Sequence, residues 1–311
     1  YARRSWKRAV LDGERRLDDL GTLLAWGLLG TRRIHPVARV ICSSRHEPES
    51  RRIVIEEALT RGELTRYTDH SLAARIARRY RYRADHRSPY GKLIHRASFL
   101  ELRPLEAVVT APATKVLTRV KVDDQIWNKV CDAFFDVDNL VTRDKILNPL
   151  SKYIKDVFGI KILTAGPEQS YEIAEILTDI AFGAQELEDI GLGAEGAEED
   201  AVLEILEAKD YVSLPPEQKK QTGWEALKNV YSWRDQVYEI QIQTEANYHL
   251  ETSDLSDTSH HTFEMRRQSL RLKLDEVIPH YKEFRTVLKA LFKPQYSRRR
   301  ARLPGWIRIA E

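Results

Sequence analysis

Apolar positions along the chain alternate between two periods. Leu11, Leu17, Leu20, Leu24 and Leu28 recur at helical spacing, which predicts an amphipathic helix near the start. A second helix is predicted from Asp69 or Ser71, either of which can cap it, through Arg79, with Leu72, Ile76 and Tyr80 on one face. Between them Val37 to Ser43 is a short candidate strand, so residues 1–110 read mostly as helices. From residue 115 the order is helix, strand, helix. Asp123 to Phe135 carries Ile126, Trp127, Val130 and Phe134 near one side, Val157 to Leu163 is β-branched and apolar, and Gln169 to Ile180 puts Ile173, Ile176, Leu177 and Ile180 inside. Two strands follow, Leu227 to Ser232 and Val237 to Gln243, joined by Trp233-Arg234-Asp235-Gln236, short enough for a hairpin. In the second, Tyr238, Ile240 and Ile242 face one way while Glu239, Gln241 and Gln243 face the other. A long helix from about Phe263 to Phe292 closes the pattern. The fold class is α+β: a mixed sheet flanked by helices, with a helical, basic amino-terminal region over 1–112, a second domain over 113–296 and a basic tail over 297–311.

Composition narrows the class. With 311 residues, 42% hydrophobic and 31% charged, the chain is globular and long enough for two domains. Its longest apolar run, Leu20 to Gly30, is 11 residues, short of the roughly 20 that span a bilayer. Asp12, Glu14, Asp18 and Asp19 interrupt any signal-peptide pattern after Arg3, Arg4, Lys7 and Arg8. Cys42 and Cys131 have no CxxC partner, so a reducing, cytoplasmic setting is expected and thiolate-bound zinc is not.

The net charge of +3 hides an asymmetry. Residues 1–100 hold 22 Lys+Arg against 11 Asp+Glu. That excess fits either a surface for RNA or a solvated helical surface. From Glu186 to Glu207 nine residues are acidic and none basic, with Gly191, Gly193 and Gly196 among them. This stretch is expected to be an exposed insertion over about 183–208. The tail carries Arg298, Arg299, Arg300 and Arg302.

The candidate chemistry lies in three segments. TRVKVDDQIWNKV contains Arg119, Lys121 and Lys129, cations just before and inside a predicted helix, where a polyphosphate would be held. IKDVFGIKILT contains Asp156, Gly159 and Lys161, and VYEIQIQT contains Glu239, Gln241 and Gln243. Asp156 and Glu239 are acids attached to strands; together they can hold a divalent metal against a polyphosphate. Singly, Asp156 can equally cap a strand end, and Glu239 can pair with a lysine on an exposed face. Trp224, in the segment Thr222-Gly223-Trp224, is either a core aromatic or a stacking platform.

Taken in this order the segments resemble the synthetase domain of the RelA/SpoT family, the alarmone (ppGpp) synthetases, over roughly residues 115–285. Arg119, Lys121 and Lys129 match the family's basic loop and helix, although Gln125 stands where the family has serine. Asp156, Gly159 and Lys161 follow the strand D-x-x-G-x-R, with lysine for arginine. Thr222, Gly223, Trp224, Ala226 and Lys228 follow the Gly-aromatic turn. Glu239, Gln241, Ile242, Gln243 and Thr244 follow E-x-Q-I-R-T, with glutamine for arginine, and His249 comes one residue late. The His260-His261 pair lacks the spaced ligands of the family's hydrolase.

The resemblance implies a nucleotidyltransferase-like fold and an ATP-dependent pyrophosphokinase. ATP phosphates would meet Arg119, Lys121, Lys129 and Lys161, and the acceptor nucleotide, a guanosine or adenosine nucleotide, would meet Trp224, Lys228, Gln241 and Gln243. Mg2+ would be held by Asp156 and Glu239, the catalytic pair. Two other functions stay open: toxin-like transfer of pyrophosphate to the 3′ end of tRNA, prompted by the basic amino-terminal region, which includes Arg75, Arg78 and Arg79, and a non-catalytic nucleotide-sensing module, prompted by the departures at Lys161, Gln125 and Gln243.

Overall fold

In a computed structural model, residues 2–44, 52–59, 93–121, 157–192, 202–215, 224–253, 269 and 271–292 are described. Several predicted features lie outside them: the Asp69–Arg79 helix with Arg75, Arg78 and Arg79; the Asp123–Phe135 helix with Gln125 and Lys129; Asp156; Thr222 and Gly223; His260 and His261; Cys131; and the basic tail. The described residues fall into two compact units, the larger within Leu11–Val120 and Lys155–Ser256, the smaller within Tyr1–Val10, Lys121–Ile154 and Asp257–Glu311.

The larger unit is built on an eight-stranded mixed sheet. In chain order the strands are β1 (Ile34–Ser44), β2 (Arg52–Ala58), β3 (Leu93–Pro104), β4 (Lys115–Val120), β5 (Phe158–Thr164), β6 (Glu204–Asp210), β7 (Leu227–Trp233) and β8 (Gln236–Thr244). Across the sheet they run β2-β1-β3-β4-β5-β8-β7-β6. β5 and β8 pair in parallel and every other pair is antiparallel. The helices are α1 (Ala2–Leu28), α2 (Pro167–Asp179), α3 (Ala184–Asp189) and α4 (Glu245–Ser253). This is the α+β class expected from the sequence.

One face of the sheet carries the main core. The leucine stripe of α1 forms as predicted, with Leu17, Leu20, Leu24 and Leu28 buried against Val116, Ile160, Ile162, Tyr238, Ile240 and Ile242. Pro167 opens α2 at a position that needs no N–H, and Ile173 and Leu177 enter the same core. Ile176, expected inside, is exposed; it lies one residue from Leu177 and therefore turns about 100° away from the buried stripe. α1 approaches the sheet closely at two glycines. A Cβ on Gly13 would come within 2.2 Å of Phe158 Cζ, and one on Gly21 within 2.5 Å of Thr118 Cγ2.

Three sequence expectations are corrected. The first 112 residues are not mainly helical where described: after α1 come β1, β2 and β3, and β3 pairs on to β4. The segment before Lys121 is the strand β4 rather than a loop. The acidic stretch is a strand in part, since β6 pairs with β7 at the end of the sheet order, with nearly every residue exposed.

The β7–β8 hairpin closes on two residues, with Trp233 paired to Gln236. Arg234 (φ 49°) and Asp235 (φ 59°) both take positive φ, as the type I′ hairpin turn requires. Glycine meets that requirement without a Cβ clash, so Asp235→Gly is expected to stabilise the fold by about 0.5–1 kcal/mol, read as a higher midpoint in urea.

α1 also carries buried acids. Burial, with Glu14 and Asp19 nearby, raises Asp18 well above the usual carboxylate range. Burial raises Asp19 to about 6, with Arg234 and Arg15 opposing it. A carboxyl whose folded pKa exceeds its unfolded value favours the fold when protonated, and that contribution is lost as pH climbs from about 4 through about 6. Asp19→Asn should therefore equal the parent near pH 4 and exceed it by roughly 2 kcal/mol at pH 7, measured as the difference between two urea-unfolding series across pH.

In the smaller unit, residues 271–277 are helical and α5 (Tyr281–Phe292) follows. The single helix expected over Phe263–Phe292 is thus broken. Pro279 lacks an N–H and disfavours helical backbone at Ile278, and His280 takes φ 64°. Among the described residues no helix is long and apolar enough to cross a membrane.

Candidate functional site

The opposite face of the sheet is polar, and it gathers residues from segments far apart in the chain. On β8 the predicted alternation is present: Tyr238, Ile240 and Ile242 are fully buried in the core, and Glu239, Gln241 and Gln243 project the other way. The strand registers extend this face sideways. Arg119 on β4 stands opposite Gly159 on β5, which stands opposite Glu239. On the next rung Leu117, Lys161, Gln241 and Lys228 follow one another across β4, β5, β8 and β7. Gln243 comes beside Leu163. Gly159 leaves space between Arg119 and Glu239, since a Cβ there would meet only backbone oxygens at 3.8 and 3.9 Å.

The side chains are tightly paired. Glu239 accepts from Lys228 Nζ at 2.6 Å on one oxygen and from Gln241 Nε2 at 2.7 Å on the other. Lys161, nearly buried, donates to Glu251 Oε2 at 2.5 Å. Gln243 Nε2 donates to the same oxygen at 3.0 Å, while Gln243 Oε1 is buried with no hydrogen-bond partner among the described residues. Burial pushes the Lys161 ammonium below its usual range, against the pull of Glu251, and Arg119 adds to the lowering. Burial would raise Glu251, but Lys161, Gln243 and a hydrogen bond from Trp224 bring it below the usual carboxylate range.

Glu251 belongs to α4, which lies over this face. The same helix places Tyr248 in a small apolar cluster with Phe99, Leu117 and Leu163. Lys161 Nζ is 5.5 Å from the Tyr248 ring centroid, and the Arg39 guanidinium is 5.6 Å from it on a cation–π approach. Glu245 accepts from Lys115 at 3.0 Å and from Thr114 Oγ1 at 2.9 Å, which hold its carboxyl low against the upward push of burial. Further along the face Glu101 is almost fully buried between Arg39 (3.0 Å) and Arg103 (2.9 Å). The Arg119 guanidinium sits 5.6 Å from the Phe99 ring.

Of the residues expected at the site, the structure therefore brings together Arg119, Lys161, Lys228, Glu239, Gln241 and Gln243. Trp224, just before β7, is partly buried beside Tyr211 with ring centroids 5.5 Å apart, and it reaches the cluster through Glu251. Lys121 belongs to the smaller unit. Glu251, Tyr248, Glu245, Arg39 and Glu101 were not expected there. Tyr248 and Glu251 are three apart, which would put them on one helix face, but in a nine-residue helix that spacing is too brief to register as a pattern.

Among the described residues no group of three or more His, Cys, Asp and Glu could hold a metal ion. Of the expected metal pair only Glu239 is described, and both its oxygens are engaged. The described donors by themselves do not build a magnesium site.

No protein-family profile and no curated protein matches the chain. Its fold is similar to crystal structures of the small alarmone synthetase 1 from Bacillus subtilis (16% identity, TM-score 0.32, covering 58% of this chain and 82% of that one). The form of that enzyme bound to its product pppGpp gives 16% identity, a TM-score of 0.31 and coverage of 58% and 81%. The smu.1046c protein from Streptococcus mutans UA159 gives 16%, 0.28, and coverage of 55% and 79%.

Proposed function

We propose that this chain is an ATP-dependent pyrophosphokinase that transfers pyrophosphate to the 3′-hydroxyl of a guanosine or adenosine nucleotide. One observation carries this reading: strand register puts Arg119, Lys161, Glu239, Gln241, Gln243 and Lys228, drawn from four strands, on neighbouring rungs of one polar face. Cations and a carboxylate preplaced on one surface are what phosphoryl-type transfer requires, because charge builds on oxygens that must already have partners.

In this reading Arg119 and Lys161 hold the ATP phosphates. Glu239 accepts the proton of the ribose 3′-hydroxyl, whose oxygen attacks the β-phosphorus of ATP. The bond from that phosphorus to the α,β-bridging oxygen breaks, and AMP leaves with the oxygen. Lys228, already on Glu239, tethers the carboxylate and offers its ammonium to the acceptor. Gln243 Oε1, buried without a partner among the described residues, is suited to a donor group of the acceptor, since a buried acceptor left unmade costs about 1–3 kcal/mol. Trp224 stacks on the acceptor base. Magnesium would need Asp156 to join Glu239.

The test is AMP release from ATP with GTP, GDP, an adenosine nucleotide or uncharged tRNA as acceptor. AMP formed only when a nucleotide acceptor is present supports the proposal. AMP formed with tRNA alone would replace the acceptor, and no AMP with any acceptor, in a protein shown to be folded, would reject the chemistry.

A further inference from the structure

Within the larger unit the polar face is not open. Two of its lysines, Lys161 and Lys115, are already answered by carboxylates from one short helix. Glu251 on α4 takes Lys161 at 2.5 Å and Gln243 at 3.0 Å, and hydrogen-bonds Trp224. Those three side chains are the ones assigned above to ATP phosphate and to the acceptor nucleotide. Six residues earlier Glu245 takes Lys115 at 3.0 Å. Lys115 and Lys161 share this face, since Lys115 and Leu117 alternate to the same side of β4 and Leu117 stands opposite Lys161.

We propose that α4 is an acidic latch: Glu251 occupies Lys161 of the polyphosphate site, Glu245 occupies Lys115 beside it on the same face, and the phosphates of an incoming nucleotide displace both carboxylates. The proposal rests on the reading of this face as a nucleotide site and adds how access to it is regulated. A carboxylate and a phosphate offer the same kind of oxygen to an ammonium group, but a polyphosphate brings more of them and more charge. The helix that carries the carboxylates has nine residues, too few to persist alone in water. The two ion pairs and the Tyr248 cluster help hold it on the sheet, together with hydrogen bonds from Thr114 to Glu245 and from the Glu225 N–H to Asn247 Oδ1. Each ligand-binding event must first break the ion pairs, so the apparent affinity is reduced by the fraction of time the latch is shut.

Removing the charge should therefore tighten binding. A plain structural role for Glu251 gives the opposite sign, because Lys161 would lose its partner and the site would loosen. Glu251→Gln keeps the shape and an oxygen for the Trp224 indole. Calorimetric titration with inorganic tripolyphosphate and with a nonhydrolysable ATP analogue should show ~10-fold tighter binding in Glu251→Gln and ~2- to 3-fold in Glu245→Gln. If the parent binds both probes and neither variant binds them more tightly, the latch is overturned while the nucleotide site stands. If neither parent nor variants bind either probe at millimolar concentration, the nucleotide reading fails and the latch with it. Should Glu251→Gln fail to fold by thermal melt, Glu245→Gln decides, since its side chain is about one-third exposed: tighter binding supports the latch and unchanged binding overturns it.

Discussion

Glu239→Gln is expected to keep the fold and lower kcat by about 10³-fold, with the KM for ATP changed far less. The amide matches the carboxylate in size, and it can still accept from Gln241 or Lys228, which now hold Glu239 at 2.7 and 2.6 Å. It cannot take the proton of a ribose hydroxyl. The loss therefore falls on the step in which charge moves, not on ATP binding, which the cations of β4 and β5 supply. Steady-state kinetics on the parent, Glu239→Gln and Lys228→Met separate the alternatives. If Glu239 served only as the counter-ion of Lys228 on an exposed strand face, both variants would lose little activity and would do so equally. A drop of three decades in one and a much smaller drop in the other assigns the proton acceptor.

Gly13→Ala should destabilise the fold by about 1–3 kcal/mol, although alanine is the better helix former. The new methyl would be placed 2.2, 2.6 and 2.9 Å from three carbons of the Phe158 ring. That ring cannot swing aside, because Phe158 is buried in the core with Ile160 and Tyr238 and lies 6.2 Å from the Tyr238 ring, centroid to centroid. α1 would have to lift from β5. Gly27 lies on the same helix, and a methyl added to it would have no neighbour within 4 Å, so Gly27→Ala should instead stabilise by up to about 1 kcal/mol. Opposite signs for one substitution in one helix, read as urea midpoints, show that sheet contact and not helix propensity governs Gly13. Equal signs would mean that α1 does not seat on β5 through Gly13.

Elements with one dominant environment were legible in the sequence. The leucines of α1 face a single core, and β8 alternates strictly because its two faces meet an apolar and a polar layer. β1 was anticipated in part, as the short strand Val37 to Ser43, whereas β3 was hidden by Glu101 and Arg103, which sit in a sheet yet pair with each other and with Arg39 on its polar face; read along the chain, such charges suggest exposed helix. β6 was hidden by exposure, since a short edge strand with few buried residues differs little from an acidic linker. On the polar face, the grouping of the strand residues was anticipated from the order and spacing of their segments. The contribution of α4 was not, because Glu251 meets Lys161 only once the helix following β8 folds back over β5, and 90 positions separate the two.

The proposed chemistry is tested most directly by phosphorus NMR of the wild-type protein with ATP and the acceptor nucleotide, followed to completion. A pyrophosphate ester on the acceptor ribose should grow one for one with AMP, and no ADP should form. Accumulation of ADP with inorganic phosphate, or ATP left untouched by folded protein in the presence of magnesium and each acceptor, would contradict pyrophosphate transfer on this face of the sheet.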